Sequence, residues 1–140
     1  MIAAAHALNI LLVEDDDVDV MTVKRAFQRA HLTNPLYVAG NGIEALEKLR
    51  SGEIPKHRRL VLLDLNMPRM NGIEFLRELR GDPELCNTAV VVLTTSAMER
   101  DKFDAYGFNV AGYLVKPVTF ERFCEVVVAL NKYWMLVELP

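Results

Sequence analysis

A chain of 140 residues with 51% hydrophobic and 25% charged content has the size and apolar content of one globular domain with a proper core. Its formal net charge of -3 provides no broad basic surface, which argues against nucleic acid as a direct partner. No run approaches the ~20 apolar residues of a membrane span, and residues 1–8 lack the basic region of a signal peptide, so a cytoplasmic protein without membrane contact is expected.

The first apolar run, Asn9–Val13, predicts a strand that ends directly in Glu14-Asp15-Asp16-Asp17, with an amphipathic helix following over Asp17–Ala30. Pro35–Ala39 predicts the second strand and Gly42–Arg50 the second helix. Gly52, Pro55 and the cluster Lys56-His57-Arg58-Arg59 then make Ser51–Arg59 a solvated surface loop whose charges need no function. The third strand, Leu60–Leu63, is apolar throughout and ends at Asp64. Asn71-Gly72 has hairpin composition, but the Ile73, Leu76, Leu79 spacing favours a turn into a helix over Gly72–Arg80. Ala89–Leu93, the fourth strand, ends in Thr94-Thr95, and a helix is expected over Ala97–Tyr106. The fifth strand, Ala111–Val115, ends in Lys116-Pro117 before a last helix over Thr119–Trp134.

This alternation is that of repeated βα units, and strands apolar at every position need cover on both faces. The expected fold class is therefore α/β, a doubly wound five-stranded parallel sheet. Phe27, Met67, Met70, Phe75 and Phe103 fit core packing, while His6, His31 and His57 are scattered surface residues without partners. Cys86 and Cys124 have neither a CxxC neighbour nor a nearby His, and read as reduced core thiols.

In an open parallel sheet all strand carboxyl ends lie along one edge, so four strands deliver acids, hydroxyls and an ammonium to one crevice. Several carboxylates gathered there repel unless a cation compensates. Magnesium suits one or two carboxylates with waters and phosphate oxygens, which Asp15, Asp64 and a nearby backbone carbonyl can supply. Helix capping is the competing use for Asp15, Asp16 and Asp17 and falls to Asp16 or Asp17; for Glu14 and Asp15 it explains less, because it says nothing about Asp64. A carboxylate can also accept a phosphoryl group, whose oxygens would be neutralised by the metal, the Lys116 ammonium and the Thr94 hydroxyl.

The stretches Ile10-Leu11-Leu12-Val13-Glu14-Asp15-Asp16, Leu62 to Gly72 with Asp64-Leu65-Asn66-Met67-Pro68, Val91-Val92-Leu93-Thr94 and Tyr113-Leu114-Val115-Lys116-Pro117 together resemble the receiver domains of two-component response regulators. The resemblance spans nearly the whole chain. It implies a flavodoxin-like (βα)5 fold with strand order 2-1-3-4-5 and one receiver domain over 1–140. It further implies that Asp64 accepts a phosphoryl group from a sensor histidine kinase, with Mg2+ held by Asp15, Asp64, the Asn66 carbonyl and, through water, Glu14. Thr94 and Lys116 follow Asp64 by 30 and 52 residues, the family spacing, and Thr95 leaves an exchange of roles within the doublet open. Tyr113 matches the aromatic that moves inward when the hydroxyl closes on phosphate. The Leu93-Thr94-Thr95-Ser96 run, the Ser51–Arg59 loop and the tail after Trp134 are similar to regulators paired with bacterial phytochromes, which makes a bacteriophytochrome a candidate kinase. With no output domain expected, the signal would end in a partner, a phosphorelay or competition for phosphate.

On a helical wheel at ~100° per residue the apolar positions between Phe120 and Trp134 cover an arc of about 220°, wider than one sheet face can bury. The 119–140 segment is thus expected to double as a homodimerisation element through Phe120, Phe123, Val127, Tyr133 and Trp134, unless the tail folds back over the helix. A magnesium-dependent phosphohydrolase with an Asp nucleophile is the alternative function. Haloacid-dehalogenase-like phosphatases place a second acid two residues after the nucleophile, and Asn66 stands there instead.

Overall fold

Asn9–Val13 (β1), Leu36–Ala39 (β2), Arg59–Asp64 (β3), Ala89–Thr94 (β4) and Gly112–Val115 (β5) form one sheet of order β2-β1-β3-β4-β5. Every neighbouring pair is parallel. The structure is a computed structural model, and it describes residues 8–65, 67, 69–94, 107–115 and 120–136. Four helices are described: α1 (Asp17–Arg29), α2 (Gly42–Ser51), α3 (Gly72–Gly81) and α4 (Phe120–Leu136). The strand order is the expected one, and the strand bounds agree with the sequence reading to within a residue. The helix expected over 97–106 lies outside the described residues.

Strand alternation sorts the core into two layers. Leu11, Val13, Val61, Leu63, Val90 and Val92 point to the face covered by Leu46 and Leu49 of α2 and by Phe75, Leu76 and Leu79 of α3. Ile10, Leu12, Leu60, Leu62, Val91 and Leu93 point the other way, onto Val20, Val23, Ala26 and Phe27 of α1 and Val127 of α4. The apolar middles of β1 and β3 are thereby covered on both faces, as parallel strands between helix layers are. Phe27, Met67 and Phe75 are buried as expected, and both cysteines are free and half-buried.

Capping residues start α1, α2 and α3 where the sequence changes period. Asp16 caps α1, its Oδ1 accepting from the amides of Val18 at 2.8 Å and Asp19 at 3.4 Å. Asn71 caps α3 in a reciprocal box with Glu74, which resolves the Asn71-Gly72 pair as a helix start.

One expectation needs correction. Ser51–Arg59 is not a wholly solvated loop: Ser51 closes α2, Ile54 is fully buried, and Arg59 is the buried first residue of β3. The Arg59 guanidinium donates through Nη2 to the carbonyls of Leu49 at 3.0 Å and Ile54 at 2.7 Å, and through Nε to that of Pro55 at 2.8 Å. A turn folded back on itself leaves carbonyls without strand or helix partners, and the planar fork of an arginine satisfies several at once. Burial lowers its pKa from the ordinary arginine value. Lys56 and His57 remain exposed.

Candidate functional site

The register of the sheet determines which residues meet at its carboxyl edge. Val13 is level with Leu63, and Leu63 with Val92, so Glu14 and Asp64 follow at the same height on adjacent strands. The Glu14 amide still bonds to the Ala39 carbonyl at 2.9 Å, which carries the chain to the sheet edge before it turns into α1. One carboxylate oxygen each from Glu14, Asp15 and Asp64 lies within 4.8 Å of the others. Glu14 and Asp64 are buried, at 3% and 5% exposure, whereas Asp15 is exposed. The cluster is therefore a cup with two walls inside the protein and one at the solvent.

Asp16, although adjacent, is committed to the α1 cap and leaves Asp15 as the outer acid. Glu14 Oε2 accepts weakly from the Asp16 amide at 3.4 Å. Three acids this close repel one another, and a cation bound among them would relieve the repulsion. The donors are all oxygen, with no thiol or imidazole among them, which fits a hard divalent ion that keeps waters on its open side. The solvent-facing Asp15 side supplies such an opening.

Thr94 is the last residue of β4, and its backbone pairs with Val115 at the end of β5. Asp64 pairs with Leu93. The backbone at Thr94 is thus one position beyond the Asp64 partner, on the neighbouring strand of the same edge. Tyr113 sits in β5 opposite Val92, half-buried against the layer formed with α2 and α3. Asn66, Thr95 and Lys116 lie outside the described residues, as do the side chains of Thr94, Phe120, Phe123 and Trp134. Along α4, Val127 is buried against the sheet and offers no surface to a second copy, while Val128 and Tyr133 are exposed at 44% and 58%.

Two glycines that sequence reasoning treated only as helix starts shape the loop after Asp64. The Gly72 amide donates to the Leu65 carbonyl at 3.1 Å, and a Cβ there would come within 2.7 to 3.0 Å of Leu65 atoms and the Asp64 carbonyl oxygen. A Cβ on Gly42 would meet Met70 Cγ at 2.7 Å and the Met70 carbonyl oxygen at 2.9 Å. Between these contacts Arg69 and Met70 take consecutive left-handed conformations, with φ of 51° and 68°. The only sequence hint was glycine at the first helical position of both α2 and α3, where other residues would serve the helix better.

A family model described as the response regulator receiver domain matches residues 10–128. Among curated proteins, the probable methanogenesis regulatory protein FilR2 of Methanothrix harundinacea is 38% identical over 90% of this chain and 83% of its own length. Response regulator Rcp1 of Synechocystis is 35% identical over 94% of this chain and 92% of its own. The crystal structure of the Mn(2+)-bound form of Rcp1 aligns with a TM-score of 0.75 at 34% identity, over 95% of this chain and 99% of that one. That of the phosphorylated cyanobacterial phytochrome response regulator RcpA aligns with a TM-score of 0.78 at 33% identity, over 96% and 99%.

Proposed function

Because the chain belongs to the response regulator receiver family, we propose that it is a phosphorylation switch in which Asp64 accepts a phosphoryl group from a sensor histidine kinase. The observation that carries this reading is the cup formed by Glu14, Asp15 and Asp64 at the carboxyl edge, next to the end of β4 at Thr94. An Asp64 carboxylate oxygen forms the new bond to phosphorus as the phosphorus–nitrogen bond to the donor imidazole breaks. Burial of Asp64 restricts water around that bond. Asp15, Asp64 and the Asn66 carbonyl would hold Mg2+, with Glu14 acting through a water. When bound, the ion neutralises charge on the phosphoryl oxygens. Thr94 and Lys116 would take the remaining oxygens.

In the switch, closing of the Thr94 hydroxyl on the phosphoryl group and inward motion of Tyr113 would shift a pre-existing equilibrium. The half-buried position of Tyr113 leaves it room to deepen its packing. Likeness to Rcp1 and to the phytochrome response regulator RcpA supports a bacteriophytochrome as the kinase. The exposed Val128 and Tyr133 of α4 support a homodimer through that helix. The family match favours the receiver over the phosphohydrolase alternative.

The test is titration of beryllofluoride, with Mg2+ present, into the protein while amide spectra are followed. A switch gives saturable shifts that reach the ends of β4 and β5 and vanish in Asp64→Asn. Sustained turnover of small phosphoesters without such shifts would support the hydrolase instead.

A further inference from the structure

Arg80 lies in the last turn of α3, at the sheet edge opposite the carboxylates. Its guanidinium reaches two separate segments. Nη1 donates to the carbonyls of Cys86 at 3.0 Å and Thr88 at 2.7 Å, just before β4 begins. Nε donates to the carbonyl of Phe108 at 2.9 Å and Nη2 to that of Asn109 at 3.3 Å, just before β5. All four acceptors are backbone oxygens outside strand pairing. Gly107 and Asn109, with φ of 64° and 53°, flank the Phe108 carbonyl in the segment that meets the arginine, and sheet pairing begins with the Ala111 amide on the Val90 carbonyl at 2.7 Å. Burial lowers the pKa of the Arg80 guanidinium, with Cys86 acting the other way, yet an arginine keeps its charge at neutral pH.

β5 has four residues and, among the described residues, pairs only with β4, so its own ladder is short. It nevertheless ends at Val115, one residue before Lys116, and β4 ends at Thr94. Strands are stiff, advancing ~3.3 Å per residue, so holding their starts fixes where their ends fall. The other end of α3 rests on the Leu65 backbone through Gly72. One helix of about 15 Å therefore spans from the loop after Asp64 to the starts of both strands.

We propose that Arg80 is a positioning residue for the phosphoryl-binding half of the site: by clamping the starts of β4 and β5 together it sets where the ends of those two strands, at Thr94 and Val115, fall relative to Asp64. This rests on the receiver reading above. The acids of the metal-binding half stand at the ends of β1 and β3, whereas the Arg80 bonds go to the segments before β4 and β5, and that separation is what makes the role measurable.

The experiment uses the full chain, its Arg80→Lys variant, which keeps the charge but loses the fork, and its Arg80→Gln variant. Isothermal titration with Mg2+ alone, then with beryllofluoride at saturating Mg2+, reads the two halves. Mg2+ affinity should stay within about twofold of wild type, while beryllofluoride affinity falls by about fivefold or more in Arg80→Gln and less in Arg80→Lys, the scale of one lost hydrogen bond. Unchanged beryllofluoride affinity overturns the proposal. So does a parallel loss of both affinities, or failure of both variants to fold, either of which makes Arg80 a stability residue only. A wild-type protein that binds no beryllofluoride fails the receiver reading itself, and this inference falls with it.

Discussion

A methyl group on Gly72 would lie 3.0 Å from the carbonyl oxygen of Asp64, so the first turn of α3 packs directly on the backbone at Asp64. The same methyl would lie 2.8 Å from Leu65 Cα, and backbone on both sides leaves little that can yield. Gly72→Ala should cost about 1–3 kcal/mol in urea unfolding and weaken Mg2+ binding in the same titration. Gly81, at the other end of the helix, has open space around its Cβ direction and no positive φ. Gly81→Ala should therefore be stabilising by about 0.5–1 kcal/mol and leave Mg2+ affinity unchanged.

Divalent cations should stabilise the fold through the carboxylate cup. With Glu14, Asp15 and Asp64 oxygens inside 4.8 Å, the metal-free state carries repulsion that a bound ion removes. At a concentration of 100 times Kd, Mg2+ should add about 2.7 kcal/mol, and EDTA should reverse it. Asp15 is the exposed member, so Asp15→Asn should raise metal-free stability by up to about 1 kcal/mol while removing more than half of the Mg2+ increment. Thermal midpoints with and without the ion measure both effects.

The acids were legible in the sequence because the carboxyl ends of parallel strands share one edge, and a strand's end is marked where apolar residues give way to Glu14 or Asp64. The strand order followed from the family resemblance, and the alternation of buried runs predicted the two covered faces. Gly72, Arg59 and Arg80 were not legible. Their roles depend on backbone groups distant in the chain, and a carbonyl awaiting a donor leaves no mark on side-chain identity. Arg59 was masked further by Lys56, His57 and Arg58, since a run of charges carries the pattern of a solvated turn whichever member is buried.

That burial makes a prediction of its own. Arg59→Met keeps most of the side-chain volume but leaves the carbonyls of Leu49, Ile54 and Pro55 without their donor. Unfolding free energy should drop by about 2–4 kcal/mol. Mg2+ affinity should be unchanged, because β3 starts at Arg59 and meets the cup only at Asp64.

Acid should act through Asp82. The Glu84 amide, 2.9 Å away, and the Arg50 guanidinium, 3.1 Å away, hold its carboxyl below the ordinary value and outweigh the opposing effect of burial. A carboxyl depressed in the folded state stabilises it above the unfolded pKa, and that contribution disappears as pH falls through the lower folded value. Asp82→Asn should thus be less stable than wild type at neutral pH, with the difference shrinking below about pH 4 until the two unfold alike. Urea midpoints across that range give the comparison.

The proposed dimer would form on the outer face of α4. Val127 turns toward the sheet, so the residues left for a second copy among the described side chains are Val128 and Tyr133, flanked by the exposed Arg122–Glu125 pair. Val128→Glu places a charge where a dimer would exclude water, and should weaken association by about 2 kcal/mol, roughly thirtyfold, with the circular dichroism of the monomer unaltered. Val18 on α1 is also apolar and exposed, at 72%, so Val18→Glu serves as the control and should leave association intact. Sedimentation equilibrium at tens of micromolar should give a dimer for wild type and Val18→Glu and a monomer for Val128→Glu. A wild-type monomer would assign the surplus apolar arc of α4 to contacts within one chain, because a face this wide needs cover from one source or the other.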